Sequence, residues 1–170
     1  MEKVKIVLDA DVIIHFSKGC FLNVLPKIFS EYDFIVLQTV YNELLGPIRR
    51  ELDRQIIFLK NISLLPFSPR GEMMKEYAKL IKTLGKGESA CMVYCRFNHD
   101  VIGSSNLRDI KEYCQRYNLT YLTTVDFLFF AIQRKLMTKD EAVQFISEVR
   151  RKDSKLPDVD FDTFVSKVFL

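Results

Sequence analysis

Acidic and small polar residues recur in this sequence where apolar runs stop. The run Val4-Lys5-Ile6-Val7-Leu8 ends at Asp9-Ala10-Asp11, and the run Asp33 to Leu37 is followed by Thr39 and Glu43. Glu88 stands beside Gly87 at a helix start, Ser104 to Asn106 close the run that begins at Val101, and Thr123, Thr124 and Asp126 follow Thr120 to Leu122. If these runs are strands of one sheet, the acids gather at one edge of it. Such a gathering is costly, because two like charges ~4 Å apart repel by ~4 kcal/mol at an effective dielectric of about 20. Three arrangements relieve it: the acids stand apart in solvent, some hold protons, or a divalent cation sits between them. Mg²⁺ suits hard oxygen ligands and keeps part of its water shell. It can acidify a bound water and stabilise charge developing on a phosphate. Metal-assisted phosphodiester hydrolysis is therefore the chemistry this pattern would serve.

Each acid also has a plainer reading. Asp and Glu favour helix N-termini merely by complementing the dipole, and Glu43 and Glu88 fit that description. Asp11 reads as the cap of the first helix, with contact to a metal shell as its second role. Asp9 is the exception: it ends an apolar strand, where an unpaired buried carboxylate is penalised, so a functional role is expected. Ser104, Ser105 and Thr124 could hold a metal water or a phosphate, although hydroxyls at strand ends more often cap helices.

The elements that must position these groups alternate. Strands are expected at Val4–Leu8, Asp33–Leu37, Ile62–Leu65, Val101–Ser105 and Thr120–Thr123. Helical spacing covers Val12–Phe16, Phe21–Phe29, Tyr41–Leu45 with Thr39 as its cap, Ile48–Leu59, Met73–Leu84, Gly87–Phe97, Leu107–Tyr117 and Val125–Leu136. Thr138 and Glu141 form a capping-box pattern for a helix reaching about Arg151. Alternation of this kind gives an α/β fold, a parallel sheet covered on both faces, with ligands bound beyond the carboxyl ends of its strands. Residues 1–155 form one domain, and 156–170 form a tail or short helix, either within that domain or at an interface.

With 170 residues, 48% of them hydrophobic and 28% charged, the chain has ordinary globular composition, and wholesale disorder is excluded. Its net charge of +3 neither demands a nucleic-acid partner nor repels one. No apolar run is long enough to span a bilayer, and Met1-Glu2-Lys3 does not open a secretory helix, so a cytoplasmic location is expected. Cys91 and Cys95, one helical turn apart in an apolar stretch, read as buried free thiols, and with Cys20 and Cys114 they form no CxxC pair. The basic groups Arg49, Arg50, Arg54 and Arg150, Arg151, Lys152 read as solvated helix faces, some of which would contact phosphates if RNA binds. Phe127, Phe129 and Phe130 read as core, with an oligomer interface as the other possibility.

The ordered motifs Val7-Leu8-Asp9-Ala10-Asp11-Val12-Ile13, Gln38-Thr39-Val40-Tyr41-Asn42-Glu43-Leu44 and Gly85-Lys86-Gly87-Glu88-Ser89-Ala90, followed by Val101–Asn106 and Tyr121–Leu136, resemble the PIN-domain family. The resemblance spans roughly Val4 to Val149, closest to the branch whose third acid lies in a Gly-Glu-x-Ala helix. It implies a PIN-like three-layer fold with a five-stranded parallel sheet flanked by helices, and a ribonuclease dependent on Mg²⁺ or Mn²⁺. Asp9, Glu43 and Glu88 match the metal-binding acids. It further implies RNA as substrate, an antitoxin protein as partner if the chain is a toxin, and a homodimer. Asn106 stands where the family's pattern has a further Asp, and Asp109 or Asp126 is expected to supply the missing carboxylate. Two other functions fit the residues: a PIN-like binding or scaffold module with a weakened site, and a haloacid-dehalogenase-type phosphatase using the Asp9-Ala10-Asp11 opening, with Asp9 as nucleophile.

Overall fold

A computed structural model describes residues 3–170; Met1 and Glu2, part of the segment that argues against a secretory helix, lie outside the described residues. Five strands, β1 (Lys5–Leu8), β2 (Asp33–Leu37), β3 (Ile62–Leu65), β4 (Val101–Gly103) and β5 (Tyr121–Leu122), form one parallel sheet in the order β3-β2-β1-β4-β5. β1 is central because Ile6, Val7 and Leu8 are apolar on both faces, and all three are fully buried. Its register sets Val7 against both Ile35 and Ile102, and Leu8 against Gly103.

The chain first builds outward through β2 and β3, then returns to the other side of β1 as β4. The strand order therefore reverses between β1 and β4, and a crevice opens beyond their carboxyl ends.

Helices α1 (Ala10–Lys18), α2 (Leu25–Ile28), α3 (Gln38–Glu43), α4 (Gly46–Asp53), α5 (Gly71–Leu80), α6 (Lys86–Asn98), α7 (Leu107–Tyr117), α8 (Thr124–Gln133) and α9 (Lys139–Arg151) connect and cover the strands. A π-helical turn, Arg54–Phe58, prolongs α4. The core is aromatic at its centre: the Phe16 ring packs on Phe127 and Phe145, with Phe29 against Phe127 from the opposite side. Cys91, Cys95 and Cys114 are buried free thiols and Cys20 is an exposed one. Among the described residues no helix is long and apolar enough to cross a membrane.

Several elements differ from their sequence reading. Helix α3 begins at Gln38 directly after Leu37, so Thr39 lies inside its first turn and caps nothing. The Phe21–Phe29 region yields helix only at Leu25–Ile28, because Pro26 has no N–H and is tolerated in a first turn but not further along. Strand β4 runs to Gly103; Ser104 N–H still reaches Leu122 O at 3.0 Å, and the pairing ends at Ser105, whose N–H goes to Asp11 and whose hydroxyl goes to Thr124. The capping box of α9 forms as read: Thr138 Oγ1 accepts from Glu141 N–H at 3.1 Å, and Glu141 Oε2 accepts from Thr138 N–H at 2.7 Å.

Beyond α9 the chain makes no further helix, only a turn in which Phe164 N–H reaches Asp160 O at 2.8 Å. The segment packs on the same body: Leu156 and Phe161 are buried, and Phe164 meets Phe129 edge-on. Phe127 lies in the core, and Phe130 packs tilted against Phe29.

Candidate metal and phosphodiester site

Asp9 is the first residue beyond β1. Its backbone is still extended, with φ −84° and ψ 163°, and its N–H continues the ladder to Gly103 O at 2.8 Å. Its carboxylate is therefore held at the mouth of the β1/β4 crevice. Oδ1 accepts from Ala10 N–H at 2.8 Å, and Oδ2 accepts from the Ser104 hydroxyl at 3.3 Å. Asp9, not Asp11, is thus the N-cap of α1. Asp11 sits one step inside the helix and faces the same crevice. Its Oδ1 accepts from Val12 N–H at 2.6 Å, and its Oδ2 accepts from Ser105 N–H at 2.8 Å and lies 3.4 Å from Ser104 Oγ. The Ser104 hydroxyl, fully buried, stands between the two acids.

Glu43 arrives from the other side. It is the last residue of α3, so the expected benefit from a helix N-terminus does not apply to its own helix. Its Oε1 instead accepts from Gly87 N–H in the first turn of α6, at 2.8 Å. A methyl group at Gly87 would lie 2.5 Å from Glu43 Oε2, so the glycine makes room for this acid. Glu88 follows, only 9% exposed, and its Oε1 has no hydrogen-bond partner. Asn106 and Asp109 lie close to it, tied to each other by an Nδ2–H to Oδ2 bond of 2.8 Å.

The electrostatics follow from this crowding. Burial raises the Asp9 carboxyl well above its ordinary range, and the charges of Asp11, Glu88 and Glu43 raise it further. Burial also raises Asp11, against the lowering influence of the Ser105 and Val12 N–H groups. Glu88 is pushed up to about 7, first by burial and then by the charges of Asp109 and Asp11. Five carboxylates, borne by α1 and its cap, α3, α6 and α7, therefore feel one another around one crevice.

Of the sequence candidates, Asp9, Asp11, Glu43, Glu88, Asn106 and Asp109 come together at this crevice. Asp126 does not share their contacts. Its Oδ2 accepts from Thr123 N–H at 2.9 Å and Thr123 Oγ1–H at 2.7 Å in the capping box of α8, and its Oδ1 takes the Ser166 hydroxyl at 2.7 Å. Two residues at the site carry no motif of their own: Gly87, which leaves room for Glu43, and His15, which bonds to Thr124. The helical spacing of Asp11 and His15, four residues apart, is the one signal that places His15 on the crevice face of α1.

Among the described residues, no group of three or more His, Cys, Asp or Glu side chains is already arranged to hold a metal ion. The donor set nonetheless suits a hard divalent cation. It offers only carboxylate, amide and hydroxyl oxygens, it includes a buried carboxylate oxygen without a partner, and its acids destabilise one another's charge. Glu43 is the exposed member, held by the Gly87 backbone N–H. No protein-family model and no curated protein matches this chain.

Proposed function

We propose that the protein is a divalent-metal-dependent ribonuclease that hydrolyses RNA phosphodiester bonds with water. The observation that carries this reading is the convergence of Asp9, Asp11, Glu43 and Glu88 beyond the β1/β4 switch point, with Glu88 Oε1 buried and unpartnered. In this reading Asp9, Glu43 and Glu88 hold Mg²⁺ or Mn²⁺, with Asp109 beside Glu88 as the further carboxylate. The ion would supply an acidified water and an electrostatic clamp on the phosphate.

The chain's own groups do the rest. Ser104 fixes the Asp9 and Asp11 carboxylates in one orientation. Gly87 N–H holds the Glu43 carboxylate at the rim. Asn106 orients Asp109 toward Glu88. Burial around Asp9 keeps competing water from these oxygens and strengthens their hold on a cation.

Mixed RNA incubated with the protein and Mn²⁺, with and without chelator and beside an Asp9→Asn control, tests the proposal. Chelator-sensitive cleavage that the control loses is the expected result. One feature favours a second reading, a binding module with the same fold: β4 runs out into Ser104, Ser105 and Asn106 without a carboxylate. Inertness toward RNA and aryl phosphates alike would favour that module, and turnover of an aryl phosphate alone would favour a phosphatase.

A further inference from the structure

Asp11 and His15 lie one turn apart on α1, and a closed circuit of hydrogen bonds joins them through two other elements. Asp11 Oδ2 accepts from Ser105 N–H at 2.8 Å. The Ser105 hydroxyl donates to Thr124 Oγ1 at 2.8 Å and accepts from Thr124 N–H at 2.8 Å. Thr124 Oγ1 lies 2.8 Å from His15 Nδ1, between side chains that are both buried, Thr124 at 0% and His15 at 6% exposure. Thr124 Oγ1 accepts the Ser105 proton and, with His15 in its Nε2–H tautomer, donates its own proton to His15 Nδ1. His15 is then a neutral imidazole accepting at Nδ1 and carrying its proton on Nε2. Burial, with the nearby Lys18 charge, pushes His15 down to about 4 and keeps it neutral.

Resting on the nuclease reading above, we infer that His15, Thr124 and Ser105 are positioning residues that fix the Asp11 carboxylate beside the metal-holding acids. None of the three reaches the crevice acids except through Ser105. The circuit locks the β4–α7 connection to α1, and Ser105 cannot shift without breaking bonds to both Asp11 and Thr124. A hydrogen bond made directly to a ligating side chain typically sets about 10–100-fold in metal affinity, and this circuit acts one step further out, on the carboxylate beside the ligands.

The test pairs Thr124→Val, which keeps the shape and removes the hydroxyl, with Thr124→Ser, which keeps the hydroxyl. The chain has two histidines, His15 and His99, so the imidazole nitrogens are readily assigned by NMR with a His15→Gln control. The metal-free wild type should show the Nε2–H form of His15 with Nδ1 hydrogen-bonded. Added Mg²⁺ should shift the His15 nitrogens and leave those of His99 in place. Thr124→Val should abolish that response, weaken Mn²⁺ binding by a few-fold and up to about 10-fold, and lower kcat with it; Thr124→Ser should restore all three. An Nδ1–H form of His15, or Thr124→Val binding Mn²⁺ as the wild type does, would overturn the inference while leaving the nuclease reading intact. Wild-type protein that binds Mn²⁺ with the expected His15 response but leaves RNA whole would overturn only the nuclease reading. A wild type that binds no Mn²⁺ would overturn both.

Discussion

Glu88 is the residue on which the site's charge balance turns. Its carboxyl is raised from 4.5 to about 7, so between those values the folded protein keeps a proton that the unfolded chain has released. The penalty is absent below pH 4.5 and grows as the pH rises through that window. Metal-free protein should therefore lose stability between about pH 5 and 7, by on the order of 1–3 kcal/mol. Glu88→Gln should flatten that slope, as read from urea midpoints across the pH series. Because a bound cation needs the ionised carboxylate, Mn²⁺ added near pH 6 should release protons from the wild type and fewer from Glu88→Gln, which calorimetry in buffers of different ionisation enthalpy will show.

At the scale of elements, the start of α6 separates stability from function. Gly87→Ala adds a better helix former, worth up to about 1 kcal/mol. Its methyl group would occupy the place of Glu43 Oε2, a flexible side-chain end that can move away. The variant should melt within a few degrees of the wild type; on the proposed nuclease reading it should bind Mn²⁺ and cleave RNA at least about 10-fold less well. Gly19 gives the opposite contrast. A methyl group there would fall 2.2 Å from the buried Phe145 ring, which has no room to withdraw. Gly19→Ala should cost about 1–3 kcal/mol in urea unfolding, with metal affinity per folded molecule unchanged.

The elements themselves were largely readable. β1 to β3 announce themselves by β-branched and apolar runs, and α9 by the reciprocal Thr138–Glu141 pattern. Less readable was what depends on contacts distant in sequence. Asp9 takes the capping role expected of Asp11, because its N–H bonds to Gly103 O and holds its backbone extended, leaving its side chain to cap α1. Asp126 looks like a site acid by position, and only the return of Ser166 at its other oxygen shows how fully it is engaged.

At the scale of the whole molecule, the C-terminal segment closes the fold over α8. Phe161 is 7% exposed and its neighbour Phe164 packs on Phe129. Phe161→Ala should cost about 3 kcal/mol, measured by chemical unfolding, a large share of a typical domain's stability. The α/β class and the all-parallel sheet followed from alternation alone. The strand order, and with it the location of the crevice, did not, because no local pattern states that β4 returns beside β1.

That return has a consequence for how the molecule comes into being. Asp9, Glu43 and Glu88 all belong to the part of the chain made before β4, whereas Ser104, Ser105 and Thr124, which hold the pocket's far wall, are made after it. A nascent chain that has emerged only through α6 carries the acids but not the partners that orient them. Closing the seam between β1 and β4 joins positions about a hundred residues apart, a slow step in any parallel sheet. Whatever chemistry the crevice performs is therefore withheld until the chain through Thr124 has been made and β4 has closed on β1.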